Sequence, residues 1–310
     1  MTVKAFCASH TPLKDFHSPG AEAQQEVDQC FADLRAWIAD FAPELVIVLG
    51  PDHFNGFFYQ LMPSFCVGTA VESVGDWNTP VGALPVDAEA AEALVKFVHA
   101  KGVDTAISHR MAVDHGLTQT LNLTFEWSKL PPLVPVFINC AAPPCPPFAR
   151  VIALGRAIGE FARATGKRVL IIGSGGLSHD PPLPSLETAA PEVRERIIAG
   201  GKLVHEARAA RQARVIEEGS RQAAGQSAQV PLNPTWDRAF IDMLSVPDFQ
   251  KIAAFEDAAL ARAAGRGGHE VRTWVATAAA MSMIPNTRAT LRMYRAIPIW
   301  IAGFGVMTFE

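Results

Sequence analysis

The chain has 310 residues, 49% of them hydrophobic and 19% charged, with 27 basic against 31 acidic side chains and a formal net charge of −4. That length buries a sizeable core, and this balance excludes a disordered chain. A slight acidic excess with no run of five like charges argues against the cationic surface that nucleic acid requires.

The apolar run Val3–Ala8 predicts a first strand, ending at Ser9-His10-Thr11-Pro12. Ala21–Phe41 has helical periodicity, with Val27, Phe31, Leu34, Trp37, Ile38 and Phe41 on one side, and Pro43 stops it. Residues 45–49 form an aliphatic run expected of a strand covered on both faces, and Pro51-Asp52-His53 follows in a loop. A helix is predicted over 88–101 and a strand around 105–108. Val113-Asp114-His115-Gly116 then leads into a helix reaching Phe125. Residues 133–139 read as a strand, 148–165 as a helix with Ala and Gly on its packing side, and 168–172 as a buried strand. That last strand runs into Gly173-Ser174-Gly175-Gly176-Leu177-Ser178-His179.

Strands alternating with helices of this length predict an α/β/α sandwich around a mixed, largely parallel sheet. The stretch from about 191 to 264 is charged and poor in β-branched runs. It is expected to be an added helical segment with a weak spot at 223–229. No repeat or long linker appears, so the expectation is a single domain over 1–310. A helix over 269–283 and an apolar, glycine-interrupted tail at 297–306 complete the chain.

The five cysteines, Cys7, Cys30, Cys66, Cys140 and Cys145, are odd in number and contain no C-x-x-C pair, which points to reduced thiols rather than a disulfide framework. The N-terminus lacks the apolar core of a signal peptide, and the longest apolar runs, such as 45–50 and 275–284, are too short to span a bilayer. A cytoplasmic protein is expected.

Four of the nine histidines, His10, His53, His115 and His179, follow predicted strands. In open α/β sheets, sites gather where parallel strands end. A single loop histidine is more often a surface residue, but four in one type of position suggest a shared site. Imidazole with carboxylate suits Fe(II) or Zn(II), and two histidines with one carboxylate leave a face of the metal open. Spacing leaves the carboxylate undecided among Asp52, Asp114, Asp180 and Glu270. The glycine run is no phosphate cradle. Ser178 stands where G-x-G-x-x-G needs its last glycine, and Asp180-Pro181-Pro182 replaces the required helix. Ser174 is not in a G-x-S-x-G elbow, and His269-Glu270 does not continue into H-E-x-x-H. The glycines read as a bend that presents His179.

Several segments occur together in order: Cys7-Ala8-Ser9-His10-Thr11-Pro12, Gly50-Pro51-Asp52-His53-Phe54-Asn55-Gly56, Val113-Asp114-His115-Gly116, the glycine run ending at His179, and Gly268-His269-Glu270. Leu232-Asn233-Pro234-Thr235-Trp236-Asp237 and Trp300-Ile301-Ala302-Gly303-Phe304-Gly305 also fit the set. In this order the chain resembles, nearly end to end, the class III extradiol ring-cleaving dioxygenases. Thr11 stands where the family's first motif carries serine, which leaves His10 unaffected. The resemblance implies that His10, His53 and Glu270 hold Fe(2+), with His115 and His179 as the acid–base pair and Asp114 and His269 as orienting groups. It implies a small-molecule catechol and O2 as reactants in aromatic catabolism, with no nucleic-acid or membrane partner. The implied catechol side chain ends in a carboxylate, for which Arg288, Arg292 and Arg295 are candidate partners. A homo-oligomer is expected, with the 300–306 tail as an association surface. The competing readings are a zinc hydrolase or a non-catalytic binding protein on the same fold.

Overall fold

The computed structural model describes residues 2–201 and 205–310, so 202–204 of the predicted helical segment lie outside the described residues. In chain order the strands are β1 (Val3–Ala8), β2 (Leu45–Gly50), β3 (Phe65–Gly68), β4 (Val71–Val74), β5 (Val81–Ala83), β6 (Ala106–Ser108), β7 (Met111–Val113), β8 (Leu133–Ile138), β9 (Val169–Ser174), β10 (Ala289–Ile297) and β11 (Ala302–Phe309). The main sheet has the order β10-β11-β1-β9-β2-β8-β3-β6. Its centre, β1-β9-β2-β8, is parallel, while β11 joins β1 and β3 joins β8 in antiparallel fashion.

Alternation along the central strands builds two cores. Ala5, Cys7, Ile47, Leu49 and Ile171 face one apolar cluster, which includes residues of the helices Phe148–Ala164 and Val271–Met281. Their neighbours Phe6, Ala8, Val46, Val48 and Ile172 face the other, which includes the inward side of the helix Ala21–Phe41. Successive side chains of a strand point to opposite faces, so near-continuous apolar strands require cover on both. The result is an α/β/α sandwich on a mixed, largely parallel sheet, as the sequence predicts.

Two close helices fix the far side of the site. A Cβ at Gly155 or Gly159 would lie 2.2 or 2.1 Å from the carbonyl oxygen of Ala276 or Ala280. Only glycine lets Phe148–Ala164 approach Val271–Met281 this closely. The second helix begins directly after the 3-10 turn Gly267–Glu270, so its seating also sets Glu270.

The structure departs from expectation in two places. The 297–306 tail is not one loose apolar segment. It is the turn and inner strand of a β10–β11 hairpin, with β11 paired to both β10 and β1. Trp300, Phe304 and Val306 are 1%, 0% and 0% exposed, so residues 300–306 are interior and offer no association surface. Second, β4, β5 and β7 form a small separate sheet, and His115 emerges from it rather than from the main sheet. The predicted helical segment contains Pro191–Ala199, His205–Ala223, Pro234–Ser245, Phe249–Ala253 and Asp257–Ala264, with an irregular stretch after Ala223. The five cysteines are free, and among the described residues no helix is long and apolar enough to cross a membrane.

Candidate active site

The parallel strands β1, β2 and β9 end along one edge, and His10, His53 and His179 stand in the segments that follow them. His115 begins the helix His115–Thr124, whose N-cap is Asp114. The Gly267–Glu270 turn brings in the carboxylate. The structure therefore gathers all five residues from separate parts of the chain. The Glu270 carboxylate lies 3.0 Å from His53 Nε2, 3.4 Å from His10 Nε2 and 3.4 Å from His179 Nε2.

Each imidazole is held at Nδ1 by an oxygen. His53 Nδ1 is 3.1 Å from Asp114 Oδ2, His115 Nδ1 is 2.7 Å from Asp76 Oδ2, and His179 Nδ1 is 2.9 Å from the Leu177 carbonyl. These oxygens can only accept, so Nδ1 carries the proton in all three rings. His10 Nδ1 meets Ser174 Oγ at 3.2 Å. That hydroxyl donates to the Gly116 carbonyl and lies 2.6 Å from Thr120 Oγ1, so it accepts from His10. Each Nε2 is thereby left with a lone pair. Such anchoring of the distant ring nitrogen is the arrangement by which proteins orient metal-binding histidines.

His10, His53 and Glu270 fit a metal. Ligand atoms about 2.0–2.2 Å from one ion lie roughly 3 Å from each other, and Glu270 stands 3.0 Å from His53 Nε2 and 3.4 Å from His10 Nε2. An Nε2 lone pair facing a carboxylate oxygen also needs a cation between them. In the protein alone, a proton on His53 meets that need: burial opposes it, but Asp114 and Glu270 outweigh burial and hold His53 well above the ordinary range. His10 behaves oppositely, with burial outweighing Glu270 and lowering it to about 3. Burial would raise Glu270, but His10 and His179 hold it well below the usual carboxylate range.

Ligand atoms of His10, His53 and His115 also lie within 4.8 Å of one another, which raises His115 as a third ligand. Ring orientation argues against it. His53 and His115 are stacked with centroids 4.5 Å apart and planes 15° apart, whereas His10 stands nearly perpendicular to both. In-plane lone pairs of stacked rings run side by side and converge poorly on one ion. His115 is placed beside the cluster rather than in it.

The other acidic candidates are engaged elsewhere. Asp52 accepts the backbone N–H groups of Asn55, Gly56 and Phe57 and shapes the turn after His53. Its burial, with Asp114 adding to the effect, raises it to about 7. Asp114 serves His53 and Asn55 through one oxygen and caps its helix at Gly116 through the other. Although adjacent to His115 in sequence, it orients His53. Asp180 pairs with Arg266 and accepts from Val230 N. His269 turns away from the cluster: its Nδ1 accepts from Arg272, whose guanidinium also reaches Asp257 and the Pro146 carbonyl. That guanidinium is bound to two members of the Cys145–Asp257–His269 group, so a metal there would compete with a cation already paired to them.

Asp76 is the residue that sequence reasoning missed. It binds both the Nδ1 and the backbone N–H of His115, at 2.7 and 2.8 Å. Trp77 and Asn78 after it have φ of 50° and 62°, a backbone conformation L residues seldom adopt and one often retained at functional sites. The glycine run also acts differently from a simple bend. A Cβ on Gly176 or Gly267 would fall 2.3 or 2.2 Å from the His179 ring, so the two glycines make the slot that holds it. Gly176 N further donates to Glu270 Oε2 at 2.7 Å.

Buried imidazoles with fixed tautomers beside a buried carboxylate could hold a metal with one face open and pass protons next to it. Residues 4–305 match the family model described as the catalytic LigB subunit of aromatic ring-opening dioxygenase, and the chain belongs to that family. It is an extradiol ring-opening dioxygenase by family. Its relatives include three proteins each named 2,3-dihydroxyphenylpropionate/2,3-dihydroxicinnamic acid 1,2-dioxygenase. The one from Photorhabdus laumondii is 44% identical, covering 100% of this chain and 98% of its own. That from Rhodococcus jostii is 46% identical over 99% and 98%, and that from Paraburkholderia xenovorans 48% over 99% and 97%.

Proposed function

We propose that this chain opens the ring of 2,3-dihydroxyphenylpropionate, and of 2,3-dihydroxycinnamate, beside the two hydroxyls, at Fe(II) held by His10, His53 and Glu270. The observation that carries the reading is the convergence of Nε2 atoms with Nδ1-protonated rings on one buried carboxylate. The names of the full-length relatives support the substrate. Bound Fe(II) supplies one coordination sphere for both catechol oxygens and O2.

His179 and His115 move the protons. His179 donates from Nδ1 to the Leu177 carbonyl, which leaves Nε2 as an acceptor able to take a catechol hydroxyl proton. Glu270, against the opposing effect of burial, raises His179 in the protein alone. A dication sharing Glu270 would weaken that effect and favour the neutral base. His115 is held by Asp76 at both Nδ1 and the backbone N–H, which fixes its ring over the cavity with Nε2 as the nitrogen that passes a proton. Leu13, Trp77, Val215, Trp300 and Ile301 line the cavity over these rings and limit water access. We place this chemistry in a single catalytic unit spanning 1–310, in the cytoplasm; the five free thiols support the latter.

Asp76→Asn keeps an acceptor for His115 Nδ1 but replaces a charge-assisted hydrogen bond with a neutral one and so loosens the ring. It is expected to lower kcat by roughly 10- to 100-fold with iron content unchanged. Parallel iron analysis and steady-state rates check this; an unaltered kcat would remove Asp76 from the proton path. Metal identity is tested by loading the apoprotein separately with Fe(II) and Zn(II). Yellow ring-opened 2-hydroxy-6-ketodienoate should form with iron alone. Zinc-supported hydrolysis instead would refute the reading.

A further inference from the structure

The cavity above the imidazoles has apolar walls, with Pro181, Pro182 and Leu183 adding to the side chains already named. Apart from histidines, one lining residue among the described residues carries charge: Arg211. It lies in the helix His205–Ala223, one turn before Val215, which lines the same cavity. Its Nη2 donates to the His53 carbonyl at 2.9 Å. Among the described residues no carboxylate lies within ion-pair distance of it.

Asp52, Asp76 and Asp114 act on Arg211 from farther away and partly offset the burial that disfavours its charge. Their oxygens are already committed, Asp52 to three backbone N–H groups, Asp76 to His115, and Asp114 to His53, Asn55 and Gly116. A half-buried guanidinium in an apolar wall is costly unless an anion meets it. Its remaining N–H donors suit the planar, two-oxygen geometry of a carboxylate.

We propose that Arg211 binds the carboxylate at the end of the catechol's side chain and thereby selects acidic catechols over neutral ones. This rests on the ring-opening reading above. It replaces the candidates suggested by sequence. Arg288 exchanges backbone hydrogen bonds with Glu310, Arg292 holds Thr308 and Glu310, and Arg295 pairs with Glu22 and Glu26; none of the three lines the cavity.

The test compares kcat/KM for 2,3-dihydroxyphenylpropionate and for 3-propylcatechol, which has the same side-chain length without the carboxylate. Wild type, Arg211→Met and Arg211→Lys are assayed after iron loading, with iron per chain and thermal midpoint recorded. The wild type should prefer the acidic catechol. Arg211→Met should reduce that preference by roughly 10- to 100-fold, mainly through KM, as expected for loss of a charge-assisted hydrogen bond. Arg211→Lys should restore part of it. A preference unchanged in Arg211→Met overturns the assignment, and equal losses on both substrates would make Arg211 only a brace for the His53 carbonyl. Should Arg211→Met fail to fold, the lysine variant decides: an undiminished preference with lost iron again means a brace. If the wild type opens neither catechol, the ring-opening reading falls and this assignment falls with it.

Discussion

Glu270→Ala is expected to emerge from anaerobic reconstitution with little or no stoichiometric iron and no measurable ring opening. Glu270 alone among the candidate carboxylates meets the Nε2 atoms of both His10 and His53. Its loss leaves two imidazoles, too few to complete the facial ligand set. It also removes the acceptor of Gly176 N–H and the charge beside His179, so the variant should fail in both binding and proton handling. His10→Ala and His53→Ala should show the same loss of iron. A Glu270→Ala protein that keeps one iron per chain would place the metal elsewhere.

The proposed acid–base pair should behave differently. His115→Ala and His179→Ala are each expected to keep iron yet lose about 10²- to 10⁴-fold in turnover, the usual weight of a positioned proton donor or acceptor. His115 is anchored by Asp76 and stacked beside His53, and His179 is held between Gly176 and Gly267. Neither ring is required to hold His10 or His53 in place, because those are anchored by Ser174 and Asp114. Iron analysis and steady-state kinetics on the same preparations separate the two classes of variant. Normal turnover in both alanine variants would remove the pair from the mechanism.

The layered fold was legible because its signals are periodic. The apolar stripe of Ala21–Phe41 gave the helix its observed bounds, and the unbroken aliphatic run of β2 marked a strand buried on both faces. The β10–β11 hairpin was not legible. Arg292 and Arg295 interrupt β10, Gly303 and Gly305 interrupt β11, and the turn at Ile301 has φ of 52° without a glycine. The site was legible in its histidines, which stand where strands end, and in the ordered motifs that tie Glu270 to them.

Its supporting residues were hidden by topology. Asp76 sits 39 positions before His115 in an aperiodic loop. Asp114 sits beside His115 yet serves His53, because at a helix start neighbouring side chains leave in different directions. Arg211 looks like one charge among many on a polar helix until the fold seats that helix against Trp300 and the rest of the cavity wall. His269 neighbours Glu270 but faces Arg272 across the turn. Adjacency in sequence was a poor guide to partnership wherever a turn or helix start separated two side chains.

The most direct test follows oxygen and product together. Iron-loaded protein is mixed with 2,3-dihydroxyphenylpropionate in a sealed cell fitted with an oxygen electrode, while the visible absorbance of the product is recorded. The account predicts one O2 consumed for each ring opened, in proportion to bound iron. Product formed without oxygen uptake, or iron bound without product, would contradict it.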